Sequence, residues 1–195
     1  RPKDEALKAQ LGLAGKTVIG YIGTHGMAHK LDFILQSAKK LEDNPNLHFL
    51  LIGGGAMKES LLKLKDELGC TNVTMLDSVM KEEVARYISI LDVCLINLKK
   101  SPLFTTVIPS KIFENAGMGI PILMGVEGEA KDIISQYGAG LCFEPENFDD
   151  FRQKLTALLE PATYAKCKEG CRHLADNFDR KLLAANMLKV IESAK

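Results

Sequence analysis

The chain alternates between short apolar runs and longer amphipathic stretches almost from end to end. Runs of strand length fall at residues 17–22, 47–52, 73–76, 93–98, 120–124 and 141–143. They are apolar at nearly every position, as strands buried on both faces are. Between them Leu31, Ile34, Leu35, Ala38 and Leu41 recur at helical spacing, as do Leu61, Leu62, Leu64 and Leu68, and Val84, Tyr87, Ile88 and Leu91. Such spacing puts one apolar stripe on each helix. Doubly buried strands alternating with helices predict a doubly wound, Rossmann-like α/β domain with a parallel sheet of about six strands. After residue 143 the pattern is helical only: 148–159 with Asn147 or Asp149 as its cap, then 162–178 opened by Pro161, then 181–194. No internal repeat, low-complexity tract or linker interrupts it, so residues 1–195 read as one domain.

In such sheets ligands bind beyond the carboxyl ends of the strands, where the winding reverses. Three of the loops there carry candidate chemistry. The first is Gly23-Thr24-His25-Gly26-Met27-Ala28-His29-Lys30, with two glycines, two histidines and a lysine ahead of a helix. A diphosphate would find backbone N–H groups, a helix dipole and a cation together. The glycine spacing matches neither the dinucleotide fingerprint nor a Walker loop, and the glycines alone could simply turn the chain. The second is Gly53-Gly54-Gly55-Ala56, where three glycines in a row cost chain entropy and call for a reason, close packing of helix on strand being the ordinary one.

The third loop crowds Lys99, Lys100, Ser101, Thr105, Thr106, Ser110 and Lys111 before Glu114, and runs through a short helix into Gly119-Ile120-Pro121. Ser110, Lys111 and the helix start suit a phosphate, whereas Glu114, a turn further in, suits a hydroxyl donor such as a ribose. Glu127 and Glu129, at another strand end on the same side of the sheet, can accept sugar hydroxyls. Together these residues suggest a nucleotide or nucleotide-sugar, with the loop containing Ser78 and Val79 holding the base. His48 and His173 lie in periodic segments and read as structural. No Ser/His/Asp or Cys/His set and no pair of glycosidase carboxylates is evident.

Composition narrows the class. With 25 basic and 25 acidic residues the net charge is zero, against the basic surplus of a nucleic-acid binder. No apolar run approaches the roughly 20 residues that span a bilayer. The start is too charged for a signal peptide, and Arg1 as first residue suggests an excised piece. Five cysteines without framework spacing suggest reduced thiols in a cytoplasmic protein. Cys167 and Cys171, a helical turn apart with His173 near, lack a second ligand pair, so no metal site is expected.

The order of segments resembles the C-terminal, donor-binding half of a GT-B-type retaining glycosyltransferase of the glycosyl transferases group 1 family. It is most similar to those of bacterial capsule, O-antigen and exopolysaccharide assembly. The resemblance rests on the stretches 21–26, 51–56, 91–96 and 109–121, with Gly138-Ala139-Gly140-Leu141 and Asn177-Phe178-Asp179-Arg180 in support. It implies that Glu114 binds the ribose, that Lys111 and Ser110 meet the diphosphate or sugar, and that the Gly23 loop lines the diphosphate. Thr24 stands where the family usually has an arginine, and His29 or Lys30 where it has a lysine. Thr106 stands where a first, sugar-binding glutamate often lies, so Glu127 or Glu129 is left to serve.

The resemblance further implies metal-independent transfer with retention and no cofactor beyond the nucleotide-sugar, most simply UDP-linked. It also implies a glycan or lipid-linked acceptor held by an N-terminal domain that is not in this chain. The isolated domain would then be inactive, its last helix packing on that missing half. The full-length protein would work in the cytoplasm, at the inner face of the membrane. A UDP-sugar 2-epimerase-like enzyme and a non-catalytic nucleotide-binding module are the competing readings; an NAD-dependent dehydrogenase lacks its fingerprint.

Overall fold

The structure, a computed structural model, describes residues 2–193, so the expected end of the last helix at Ala194 and the reading of Arg1 lie outside the described residues. The elements run α1 (Glu5–Gln10), β1 (Thr17–Ile22), α2 (Leu31–Lys40), β2 (Leu47–Ile52), α3 (Lys58–Leu68), β3 (Val73–Leu76), α4 (Lys81–Ser89), β4 (Val93–Asn97), α5 (Lys111–Gly117), β5 (Ile122–Gly125), α6 (Glu129–Tyr137), β6 (Gly140–Cys142), α7 (Phe148–Leu159), α8 (Pro161–Asn177) and α9 (Arg180–Ser193). The six strands form one parallel sheet in the order β3-β2-β1-β4-β5-β6. The chain winds outward from β1 in one direction, then crosses to β4 and winds in the other. The seam between β1 and β4 is therefore the switch point, where the loops after the two strands diverge and leave a crevice.

Alternate residues of each strand feed two cores, one on each face. Val18, Leu50, Ile52, Cys94, Ile96, Ile122 and Met124 pack under α1, α4, α5, α6 and α8. Ile19, Tyr21, Phe49, Leu51, Val93, Leu95 and Leu123 pack under α2, α3 and α7. This is the physical content of the near-continuous apolar runs: both faces of every central strand are dry. Asp92, just before β4, accepts from Val18 N–H at 2.8 Å and pairs with Lys3 and with the buried Lys8. It thereby fastens α1 to the sheet.

Two helices depart from the sequence expectation. Helix α1, ahead of the first apolar run, is capped by the Asp4 carboxylate, which accepts from Leu7 N–H. Helix α6 begins at Glu129, where an open strand-end loop was expected; Gly128 (φ 77°) turns the chain into it and Gly138 (φ 62°) ends it. Asn147, one of the two expected caps, accepts from Asp150 N–H at the start of α7. Strand β5 starts two residues later than its apolar run, because Pro121 has no N–H for the ladder and only its carbonyl is used, by Cys94. Cys167 and Cys171 are buried apolar positions of α8. His48 bonds Thr74 Oγ1 across β2 and β3, whereas His173 is on the surface. The described side chains of α9 are exposed, including Leu182, Leu183, Met187, Leu188, Val190 and Ile191.

Candidate active site at the switch point

The loops after β1 and β2 are sewn together by their backbones. Gly23 N–H donates to Ile52 O at 2.8 Å, His25 N–H to Gly54 O at 2.8 Å, and Met57 N–H to His25 O at 2.9 Å. This contact, rather than helix-on-strand packing, is what the triple glycine serves. A Cβ on Gly53 would lie 1.8 Å from Gly23 O, and one on Gly55 2.7 Å from His25 O, both at positive φ. Lys58 completes the seam: its ammonium donates to the carbonyls of Gly53 and Leu76 and pairs with Asp77 at 3.4 Å.

The sewn loops leave a cleft of about 230 Å³ lined by Gly23, Thr24, Gly53, Gly54, Ser78 and Val79, with Ile22, Ile52 and Val84 as its apolar wall. Six residues singled out in the sequence, from three separate loops, thus meet in one place. Lys111 does not line the cleft but lies against Gly23, which does. A Cβ on Gly23 would fall 2.6 Å from the Lys111 ammonium, so only glycine lets this side chain lie across the switch point.

Lys111 is the first residue of α5, but its side chain leaves the helix and lies over the Tyr21 ring, Nζ 4.3 Å from the centroid. The ammonium donates to Tyr21 Oη at 3.2 Å, and that hydroxyl donates to Thr24 O at 2.7 Å. It makes no ion pair with any described residue. Burial lowers its pKa from the ordinary lysine value, with only partial compensation from Cys94 and Glu114. Tyr21, read from the sequence as plain strand core, therefore joins the candidate site; its polar hydroxyl near the end of β1 was the available signal. The same ring neighbours two imidazoles, His25 at 6.0 Å and His29 at 5.7 Å between centroids. His25 is fully buried, and its pKa falls to about 4 through burial, then Lys58, His29 and Lys111. Burial and Lys111 lower that of His29 too.

The other candidates fall around this centre. Gly26 opens a short turn over Met27–His29. Lys30 adopts the left-handed conformation (φ 49°) and pairs with Asp32 at 2.7 Å, a bond that raises its pKa. Asn97, unmarked in the sequence beyond its place at a strand end, holds this loop by donating to His29 O at 2.9 Å. Ser110 and Glu114 are exposed on α5 and open onto a second, larger groove of about 810 Å³ with Phe113, Asp176, Phe178 and Asp179. Ser110 does not cap α5 with its side chain. Thr106 and Glu127 are exposed on the loops after β4 and β5, and Glu129 is exposed at the start of α6; the two loops touch there, Glu129 N–H donating to Thr105 O at 2.8 Å, and a Cβ on Gly128 would lie 2.0 Å from that oxygen. Among the described residues no group of three or more His, Cys, Asp or Glu could hold a metal ion, and no helix is long and apolar enough to cross a membrane.

A half-buried cation without an ion pair, beside a crevice at the switch point, suits an anion, and comparison with known proteins narrows the reading. The profile of the family described as "Glycosyl transferases group 1" matches residues 3–174. The chain belongs to the glycosyl transferases group 1 family. Among curated relatives, TuaH of Bacillus subtilis, named for teichuronic acid biosynthesis, is 30% identical over 176 residues, 88% of this chain and 42% of its own length. WcaI of Escherichia coli, named for colanic acid biosynthesis, is 26% identical over 149 residues, 74% of this chain and 36% of its own. The chain thus spans less than half the length of these two relatives.

Solved structures give the fold. Alr3699/HepE from Anabaena, determined in complex with UDP, superposes with a TM-score of 0.83 at 15% identity over 97% of this chain and 52% of its own. The C-terminal domain of the glycosyl transferase group 1 protein LpcC from Francisella tularensis gives 0.70 at 16% identity, covering 91% of this chain and 94% of that domain. The domain has the fold of a GT-B C-terminal half.

Proposed function

We propose that this chain is the donor-binding half of a glycosyltransferase that moves a sugar from a nucleoside-diphosphate sugar, UDP-linked, to a glycan or lipid-linked acceptor. Transfer proceeds with retention and without a metal ion, as the family resemblance implies. The observation that carries the reading is Lys111, a half-buried ammonium without a carboxylate partner, lying across Gly23 at the switch point. Holding a cation out of water is unfavourable unless an anion completes it. A diphosphate at the mouth of the Gly23 loop does so.

The remaining roles follow from position. Ser78 and Val79, which line the cleft with Gly23 and Gly54, border the base. Glu114, the next turn of the Lys111 helix, takes the ribose hydroxyls, and Ser110 lies beside it. Thr106, Glu127 and Glu129, on loops that touch, face the transferred sugar. In the reaction, positive charge fixed in advance near the departing diphosphate is worth more than the same charge in water, because no solvent must reorganise. The acceptor site belongs to an N-terminal domain outside this chain, and the apolar residues of α9 pack on it. The UDP complex of Alr3699/HepE and the polysaccharide pathways for which TuaH and WcaI are named support this reading.

Calorimetric titration of this chain with UDP, GDP, ADP and NAD tests it. UDP should bind selectively, and Lys111→Ala should weaken it about 10- to 100-fold, as loss of a charged hydrogen bond of about 1.5–3 kcal/mol would. Preference for NAD, or UDP binding unchanged in Lys111→Ala, refutes the assignment.

A further inference from the structure

Buried side-chain polar atoms without a protein partner are few in folded proteins, and each calls for a reason. Here four such atoms belong to three residues around the switch point: His25 Nδ1 and Nε2, His29 Nδ1, and Asn97 Oδ1. Lys30, one of the two residues that stand where the family usually has a lysine, is turned to Asp32. Lys111 is thus accompanied at Tyr21 not by another fixed charge but by two imidazoles, neither of which is ion-paired.

We propose that the His25–His29 pair takes up a proton when the donor diphosphate enters this crevice, so that donor binding is coupled to protonation of the β1 loop. The inference rests on the nucleotide-binding reading above and deepens it. The groups facing the pair are Tyr21 on β1, Lys58 on α3 and Lys111 on α5, with Cys94 and Glu114 acting on Lys111. Every full charge that bears directly on the imidazoles is positive. With the crevice empty of anions, that field and burial keep both rings neutral at pH 7. A diphosphate reverses the sign of the field at the same spot, and the proton that enters from water forms one new N–H bond. The orphaned nitrogens supply the site for it, and Asn97 Oδ1 is an acceptor at the same seam. An arginine–lysine clamp would hold the same diphosphate without any titration near neutrality, so proton uptake distinguishes the two designs.

The probe is UDP-glucose, whose diphosphate, unlike that of UDP, has no group titrating near neutrality, so any proton taken up goes to the protein. Calorimetric titrations at pH 6, 7 and 8 are repeated in buffers of different ionisation enthalpy. We expect the observed enthalpy to follow the buffer enthalpy with the slope of net uptake. Affinity should weaken by about three- to tenfold per unit as pH rises. His29→Gln and His25→Gln should each reduce the uptake, and His48→Gln, whose ring bonds Thr74 elsewhere in the sheet, should leave it intact. His25 is buried, so circular dichroism must first show that His25→Gln is folded; if it is not, the wild type and His29→Gln decide. Binding with no buffer dependence at any of the three pH values overturns the inference and leaves the nucleotide reading standing. Failure of both UDP-glucose and UDP to bind at any pH overturns both.

Discussion

The buried His25 makes the stability of this domain fall in acid by an amount that one substitution should remove. Its ring is fully buried without a hydrogen-bond partner, and its pKa falls from 6.5 to about 4 in the fold. Between those values the unfolded chain binds a proton that the native state refuses. Unfolding free energy therefore rises with pH through this window: the contribution is complete above about pH 6.5 and lost as pH falls towards 4. A shift of this size, at about 1.4 kcal/mol per pH unit, amounts to about 3 kcal/mol between pH 7 and pH 4. Against a typical domain stability of about 5–15 kcal/mol that loss is large. Urea unfolding of the wild type and of His25→Leu, measured from pH 7 down to pH 4, isolates the term. Carboxylates and the other histidines act on both proteins, so the difference belongs to this ring. The wild type should lose about 3 kcal/mol more than the variant. Parallel pH profiles would mean that His25 charges freely inside the folded protein, and the account of its burial among Lys58, His29 and Lys111 would fail.

In the longer enzyme to which we assign this chain, Lys111→Ala and Glu114→Ala should each abolish sugar transfer while leaving circular dichroism unchanged; turnover near the wild-type rate in either contradicts the site. Gly53→Ala should destabilise the domain by about 2–4 kcal/mol, read as a shift in urea midpoint, because its Cβ would meet Gly23 O at 1.8 Å at φ 151°. An unchanged midpoint would show that the two loops can part without cost. Asn147→Ala should cost about 1 kcal/mol through loss of the α7 cap, a few degrees in thermal midpoint, and none of the nucleotide affinity.

The sheet was legible in the chain because every central strand is buried on both faces, and such strands have to be written as apolar runs. Helix α7 was legible because Asn147 marks its start and an apolar stripe its face. Helix α6 has its own marks, Gly138 and the stripe Ala130, Ile133, Ile134 and Tyr137, but two glutamates and two glycines across its start, at 125–129, read as an open loop. Lys111 was legible as a candidate from its resemblance and its place before Glu114. Its surroundings were not: nothing in residues 17–22 says that Tyr21 will receive a lysine ninety positions away. The reason for three glycines at 53–55 was equally hidden, because it lies in the carbonyls of a different loop.

The sequence by itself determined the layered architecture and the loops on which chemistry could stand, since periodic burial and chain-reversing glycines are local properties. Tertiary structure decided how those loops combine. Crossing from β1 to β4 opened the crevice and brought Lys111 against Gly23. It turned Lys30 to Asp32 and left His25 fully buried and His29 half-buried beside Tyr21, with three ring nitrogens unpartnered. Whether a basic side chain is charged depends on how much water and how many other charges surround it. Those are set by the packing of segments far apart in the chain, and no local pattern encodes them.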